Sequence, residues 1–410
     1  MSIPSVDIAI IGAGPGGLAV AQGLRKHGID VAVFERDAVR ADYVQGFRLR
    51  MHQRGIDALQ ANLPPALYAA FEDTSGIAPA TSLTVDEALR PLVSDAPAGG
   101  DRVHITSSVS RITLRQVLLS GLDDIIHYGR RFDRYETQPD GTVIAYFTDG
   151  SAVRANLLVG ADGAGSAVRR QLLPDFRLAD TGKRRLAGKL SLTAAEKFGI
   201  PQWLLDNNVQ VRPQHGGRSL MITAHRVDPA SFARHGLIGG NDPTHADRAG
   251  LHFDNTASYV WWNTAYDEGE LGEDADLEAL DGAALIEVLL GQIDHWDAAL
   301  QKLVRHSDPS SVGFLKVRTS QPGSRWPTGP VTLLGDAIHS MTYFRALGAN
   351  SALYDAGRLV AELVAARHGA KPLARAIADY EADMRLHGEE AVRESLAAML
   401  RTTAPAQSAA

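Results

Sequence analysis

The sequence predicts an α/β protein: a parallel-sheet domain interleaved with an antiparallel-sheet domain and followed by C-terminal helices. Three observations lead there. Short apolar runs at 6–11, 157–159 and 331–334 each end near glycine and pass into helical spacing, as buried parallel strands do. Residues 183–320 instead set strand-like runs beside polar loops. The 410 residues, 45% of them hydrophobic, exceed one typical domain and are enough for more than one core.

The elements follow in order. VDIAII (6–11) reads as a strand, 14–26 as a helix with Leu18, Ala21 and Leu24 on one face, and VAVFE (31–35) as the next strand. Gly28 stops the helix. PLVSDAPAGGDRV (91–103) reads as a loop, and 110–122 as an amphipathic helix turning Ile112, Val117 and Leu118 inward. Residues 130–149, with turns at PDG and TDG, read as a hairpin. LMITAHRV and ASYVWWNT read as strands of the second domain, HGLIGGNDPTHADRAG as a polar loop, and 283–295 as a helix. Helices are expected over 349–367 and 374–400, and a frayed tail after them. The expected division is discontinuous: 1–70, 101–180 and 312–367 in the first domain, 71–100 and 181–311 in the second, and 368–410 as a C-terminal helix and tail.

Composition excludes several classes. With 41 basic and 48 acidic residues the net charge is −7, so no global basic field attracts nucleic acid. The absence of cysteine removes a disulfide framework, a thiol nucleophile and Cys-held metals, and fits a reducing compartment. No apolar run approaches ~18 residues, so no membrane span is expected. The start MSIPSVDIAIIGAGPGG lacks a signal peptide's basic region and cleavage site, and a cytoplasmic protein, monomer or homodimer, is expected. The 14 histidines form no H-E-x-x-H or paired ligand spacing, so no metal site is expected. There is no G-x-S-x-G elbow and no P-loop.

Three segments carry chemistry. Gly12-Ala13-Gly14-Pro15-Gly16-Gly17 is a G-x-G-x-x-G between strand and helix. Gly12 permits the tight turn, Gly14 lets a pyrophosphate approach the helix N-terminus, and Gly17 allows close helix–strand packing. Glu35, 18 residues beyond Gly17, is placed to accept both ribose hydroxyls of an adenosine. This Rossmann-like unit does not by itself choose FAD over NAD(P). The second segment, LLVGADGAGSAVR (157–169), runs from a strand into Asp162 and Gly163; alone it reads as an ordinary strand–turn–helix. The third, LLGDAIHSMTYFRALGANSALYDAGRL, begins at 333. Asp336 can bind a polyol hydroxyl or merely cap a helix, and Gly348-Ala349-Asn350 open a helix whose N–H groups can hold an electron-rich oxygen. His339 reads as a loop side chain with a local hydrogen bond. Tyr259 and Trp261 share a strand face, which is more often core than pocket, although such a face can line an aromatic-sized cavity.

Together the three segments resemble the group A FAD-dependent aromatic hydroxylases, the family typified by para-hydroxybenzoate hydroxylase, over roughly residues 6–367. The resemblance implies a Rossmann-like FAD-binding domain with non-covalent FAD, and NAD(P)H as a transient co-substrate. Gly12, Ala13, Gly14 and Gly17 would cradle the pyrophosphate, and Glu35, with Arg36 beside it, would hold the adenosine ribose. Arg111 matches the family's R-x-x-L-R helix start and would contact the flavin side. Asp162 belongs to the segment associated with both FAD and NAD(P)H, and Asp336 would bind the ribityl or pyrophosphate portion. Gly348, Ala349 and Asn350 would lie by the flavin ring, and Arg48 and Arg50 fall where the family's chain passes near it. The implied activity is a monooxygenase that uses O2, through a flavin C4a-hydroperoxide, to hydroxylate or epoxidise an electron-rich aromatic or polyketide-like small molecule. The chain leaves no room for the thioredoxin-like domain of longer members.

One departure bears on that chemistry. The family usually has proline four residues after the G-D-A-x-H histidine and glycine three later; here these are Tyr343 and Ala346. Tyr343 brings a phenol to the reacting centre, where it and Arg50 are the candidate catalytic residues. The alternative reading is a flavin-retaining, non-redox cyclase or isomerase of natural-product assembly.

Overall fold

The structure, a computed structural model, describes residues 3–38, 47–76, 79, 81–92, 105–214, 219–235, 258–323 and 325–403. The first sheet is built around β1 (Ser5–Ile11), an apolar run that lies between β2 (Val31–Phe34) and β9 (Ala152–Gly160) and parallel to both. β9 is long enough to serve two partners. Its first half pairs with the hairpin of β7 (Phe132–Thr137) and β8 (Val143–Phe147), and its last three residues pair in parallel with β15 (Val331–Leu333). The two-residue β6 (Ile126–His127) closes the other edge on β2.

Register decides where the site falls. Ile11 and Leu333 both lie opposite Gly160, and Ile11 lies opposite Phe34. The ladder continues past the strand ends: Gly12 N–H donates to Phe34 O at 2.9 Å, Ala161 N–H to Ile11 O at 2.8 Å and Leu334 N–H to Gly160 O at 3.0 Å. The turns at Gly12, Ala161 and Leu334 therefore leave one sheet edge at one level.

The second sheet runs β14 (Gly313–Ser320), β10 (Leu178–Ser191), β13 (Tyr259–Asp267), β12 (Leu220–His225), β11 (Asn208–Val211) and β4 (Ser82–Val85). It is antiparallel except that β4 pairs with β11 in parallel, so the sheet is mixed rather than wholly antiparallel. One face carries Leu186, Leu190, Leu220, Ile222, Val260 and Trp262 against the Gly282–Gln292 and Ala298–Arg305 helices. Trp262 buries its ring there and donates Nε1–H to Ser307 Oγ at 2.7 Å, satisfying the one polar atom of the indole. The opposite face looks toward the first sheet. A third, two-stranded unit of β3 (Arg48–His52) and β5 (Ile105–Ser110) joins the two.

Strand pairing shifts the expected boundaries. Residue 180 falls inside β10, and β14 follows directly on residue 312 yet belongs to the second sheet. The C-terminal helix Leu373–Thr403 buries Ile377, Tyr380 and Met384 in the first core, so it is a structural layer of that domain and not an appended tail. The loop expected at 91–103, the polar loop at 235–250 and the tail lie largely outside the described residues. Among the described residues no helix is long and apolar enough to cross a membrane.

That C-terminal helix is fixed to β15 by a buried carboxylate the sequence did not flag. Glu381 is fully buried; Oε1 accepts from Trp326 Nε1 at 2.9 Å and Thr332 Oγ1 at 3.0 Å, and Oε2 from Thr328 Oγ1 at 2.9 Å. Tyr380 OH donates to Leu333 O at 2.8 Å. Glu381→Ala leaves two buried donors, Trp326 Nε1–H and Thr332 Oγ1–H, and the exposed Thr328 hydroxyl without their acceptor, and we expect it to lower stability in urea denaturation by about 2 kcal/mol or more. A loss below about 1 kcal/mol would show that these donors find other partners.

Candidate active site

The glycine-rich turn is shaped by contacts that exclude side chains. Gly12 has φ +106°, and a Cβ there would lie 2.5 Å from Ala161 O; a Cβ at Gly17 would lie 2.3 Å from Gly12 O. Gly14 differs: nothing lies within 4 Å of where its Cβ would be. It caps the Pro15–Lys26 helix, so the space it leaves open faces a helix N-terminus with its unpaired N–H groups. Glu35, at the end of β2 and only 8% exposed, accepts Ala13 N–H at 2.7 Å and Asp37 N–H at 3.0 Å. The carboxylate thus braces the turn from below. From above, Arg115, a residue the sequence reading passed over, donates Nε–H to Ala13 O at 3.1 Å.

At the second segment Asp162 Oδ2 accepts Ala167 N–H at 2.7 Å and Val168 N–H at 3.3 Å, while its buried Oδ1 has no partner. The first oxygen opens the Ala167–Leu172 helix; the second remains available to a ligand. Arg169, the arginine that ends the segment, ties it to the third: its guanidinium donates to Ala164 O and Ala337 O, each at 2.7 Å.

At the third segment Gly335 has φ +62° and starts the short Asp336–His339 helix. His339 is not a loop side chain; it is buried, 2.6 Å from Asp355 Oδ2, which also accepts Gly335 N–H at 2.8 Å. His387 Nε2 lies 2.8 Å from Asp355 Oδ1. Burial opposes charge on Asp355, yet its histidine partners more than offset that and hold the carboxyl low; His339, also resisted by burial, is raised by Asp355. Sequence spacing had not brought His339, Asp355 and His387 together. In the fold His339 Nε2 hydrogen-bonds Asp355 and His387 Nε2 lies close to the other oxygen of the same carboxylate, so one buried acid holds the Gly335 turn.

Arg48, Arg50, Arg111, Asp336, Tyr343, Gly348 and Ala349 all line one cavity of about 350 Å³. Its far wall comes from the second sheet: Arg185, Gln210, Met221, Trp261 and Asn263. Trp261 therefore faces the cavity and Trp262 the core, while Tyr259, on the same strand face as Trp261, is fully buried outside the cavity wall. Burial, then the neighbouring Arg50, pushes Arg48 down to about 9, and burial also lowers Arg50 and Arg185. Arg48 spends one amino group on Thr223 Oγ1 at 2.8 Å and Asn208 Oδ1 at 3.3 Å; its Nη1 is buried without a partner. Tyr343, beginning a 3-10 turn, stacks on Phe344 at 4.5 Å; its buried hydroxyl has no partner, and burial raises it to about 12. It is a neutral donor at any working pH. Ala346 adopts φ +54°, ψ 32°, a left-handed turn that suits glycine. The loop keeps a glycine's backbone path although the residue is alanine.

Two residues expected beside the cofactor, Arg36 at the adenosine ribose and Asn350 by the flavin ring, have contacts within the protein. Arg36 holds a largely exposed guanidinium 3.9 Å from Asp37, a solvated charge. Asn350 has a buried amide that is fully used: Oδ1 accepts His52 N–H at 2.8 Å, and Nδ2 donates to Arg50 O at 2.8 Å and Ala346 O at 2.9 Å. Gly55 makes room for it, since a Cβ there would lie 2.4 Å from Asn350 Oδ1. Asn350 is a staple holding β3 and the Tyr343 loop to the start of the Gly348–Arg367 helix.

Comparison with known proteins agrees with this geometry. The FAD binding domain family model matches residues 5–197 and 298–395, and the chain belongs to that family, the FAD-dependent monooxygenases of the group A aromatic hydroxylase type. A candidate FAD-containing monooxygenase of Photorhabdus luminescens superposes with a TM-score of 0.82 at 31% identity, covering 96% of this chain and 98% of that one. The dual O-methyltransferase/FAD-dependent monooxygenase CTB3 of Cercospora beticola is 30% identical over 96% of this chain but only 46% of its own length. The chain thus spans about half the length of the first curated relatives it matches. The FAD-dependent monooxygenase thnD of Trichoderma harzianum is 27% identical over 95% of this chain and 92% of its own.

FAD fits the residues present. The opening at Gly14, the braced Glu35, the unpartnered Asp162 Oδ1 and the cavity at Asp336 and Gly348 all follow the C-terminal ends of strands of one sheet. Glu35→Ala removes the acceptor for Ala13 N–H and, on the expectation that this carboxylate holds the adenosine ribose, its ribose acceptor too. We expect FAD affinity, measured by titration of the apoprotein, to fall about ten-fold or more, about 1.4 kcal/mol per decade. Unchanged affinity with an intact fold would place the ribose contact elsewhere.

Proposed function

We propose that this protein uses NAD(P)H and O2 to hydroxylate or epoxidise an electron-rich aromatic or polyketide-like molecule of natural-product metabolism. The observation that carries the reading is the shared cavity: Asp336, Gly348 and Ala349 on one side and Trp261, Asn263 and Met221 on the other enclose the same space. A cofactor held by the first group meets a substrate lying on the second.

When bound, FAD supplies the redox chemistry: it takes a hydride from NAD(P)H and lets O2 give one oxygen atom to substrate and the other to water. The residues of this chain do the rest. Gly14 and the helix behind it, with Glu35, hold the dinucleotide end. Arg50 and Arg111 give the cavity a positive wall against which negative charge on the bound flavin is stabilised. The first-turn N–H groups at Gly348 and Ala349 add a helix N-terminus to that wall. Trp261 and Phe47, ring centroids 5.4 Å apart, supply flat apolar surface for an aromatic substrate and keep water out. Tyr343 presents a proton-bearing hydroxyl to the reacting space.

The left-handed turn at Ala346 supports oxygenation over the non-redox alternative, because the loop that carries Tyr343 follows a glycine's path. Purified holoenzyme incubated with NAD(P)H, labelled O2 and a panel of phenolic and polyketide aromatics should give products heavier by one labelled oxygen atom. Tyr343→Phe should keep FAD but raise the share of NAD(P)H lost as hydrogen peroxide. Conversion to an isomer of equal mass without O2 uptake would replace this reading by the cyclase or isomerase one.

A further inference from the structure

His339, Asp355 and His387 stand on three helices, Asp336–His339, Gly348–Arg367 and Leu373–Thr403, and present their polar atoms to one another in the interior. One ligand atom from each lies within 4.8 Å of the other two. The Asp355 side chain is fully buried, and those of His339 and His387 are 5% and 11% exposed. The C-terminal helix is shaped for this approach: Gly388 follows His387, and a Cβ there would lie 2.7 Å from His339 Cδ2.

Protons do not satisfy all of these atoms. Asp355 Oδ2 accepts from Gly335 N–H and His339 Nε2; Oδ1 is left over. His387 Nδ1 lies 2.9 Å from Asp383 O, and since a carbonyl only accepts, Nδ1 carries a proton. In a neutral ring that leaves Nε2 a lone pair, 2.8 Å from Asp355 Oδ1. A proton on Nε2 would not complete the pair either, because the two atoms are close without hydrogen-bond geometry. Two electron-rich atoms held so near in a dry interior repel unless a cation lies between them. His339 Nδ1 is also buried without a partner, so nothing locks that tautomer. The ring can carry its proton on Nδ1 and offer Nε2 as a lone pair too.

We propose that His339, Asp355 and His387 form a binding site for one divalent first-row transition-metal ion, of the zinc or iron(II) kind. Two imidazoles and a carboxylate suit these ions, whereas magnesium and calcium prefer all-oxygen sets. The spacing fits: adjacent ligands about 2.1 Å from a metal stand about 3 Å apart, and the nitrogen–oxygen distances here are 2.6 and 2.8 Å. The bond from His387 Nδ1–H to a backbone carbonyl is the kind that orients a ligating histidine. His387 also lines a cavity of about 310 Å³ with Tyr354 and Arg54, from which water completes the coordination. None of the three ligands lines the main cavity, so the ion is structural. It joins the C-terminal helix to the turn that delivers Asp336, and it does not depend on the reaction proposed above.

The test is zinc binding by the FAD holoenzyme after chelation has stripped it of metal. Wild type given Zn2+ and then gel-filtered should retain one zinc per chain, with a Kd of about 1 μM or tighter by calorimetry, and should melt at a higher temperature with zinc than without. Mg2+ should produce neither effect. His387→Gln should weaken zinc binding at least about 100-fold, as much as or more than losing a partner that merely orients a ligand, and abolish the rise in melting temperature. His295→Gln, at an exposed histidine, should change neither. Should His387→Gln fail to load FAD, X-ray absorption at the zinc edge of wild type serves instead, with two imidazoles and a carboxylate around the ion expected. No retained zinc, zinc bound equally well by His387→Gln, or an ion without two imidazoles around it overturns the proposal.

Discussion

Because Ile11 and Leu333 both pair with Gly160, three turns that lie far apart in the chain leave the first sheet side by side. Parallel strands all point the same way, so their C-terminal ends gather at one edge, and ligands of open α/β sheets bind there. Gly12, Ala161–Asp162 and Gly335–Asp336 follow directly on those ends. Had β15 slipped by one residue, its buried side chains would have turned to the opposite face and Asp336 would no longer stand level with Gly14. The clamps on β15 make sense in this light. Glu381 binds Thr332, Tyr380 binds Leu333, and Asp355 binds both Gly335 and His339. A three-residue strand is held in register largely by groups from the two long C-terminal helices.

The cavity below that edge is charged in a way a folded protein does not otherwise favour. Arg48, Arg50, Arg111 and Arg185 line it against the single carboxylate of Asp336. Burial lowers three of these cations, a sign that charge is kept there at a cost. Bound groups of opposite charge offset that cost. The wall formed by the second sheet is rigid because its other face is a close-packed core anchored by Trp262. The loop that closes the cavity is held by Asn350 and by the strained turn at Ala346.

The first sheet was legible because buried parallel strands are continuous apolar runs, and VDIAII, LLV and VTLL read so directly. The glycine turn was legible because its geometry admits only glycine at Gly12 and Gly17. Membership of β14 in the second sheet was not, since pairing partners over a hundred residues apart leave no local mark. The placement of Asn350 shows a different limit. Motif position put it beside the ring and said nothing of its side chain, whose amide bonds the backbone of Arg50, His52 and Ala346; hydrogen bonding of that kind depends on tertiary approach. Trp261 and Trp262 could be assigned to opposite faces from alternation, yet which face met the core depended on where the Gly282–Gln292 helix packs. The cluster of His339, Asp355 and His387 joins three helices and was invisible to spacing.

The measurement that bears most directly on the convergence of the three strand ends is the stoichiometry of flavin in the purified protein. Flavin absorbance per chain before heating, and chromatography of the supernatant after denaturation, give both the amount and the form. The account predicts one FAD per chain, released intact on denaturation. A colourless protein that takes up no FAD when titrated as the apoprotein would contradict the account at its base.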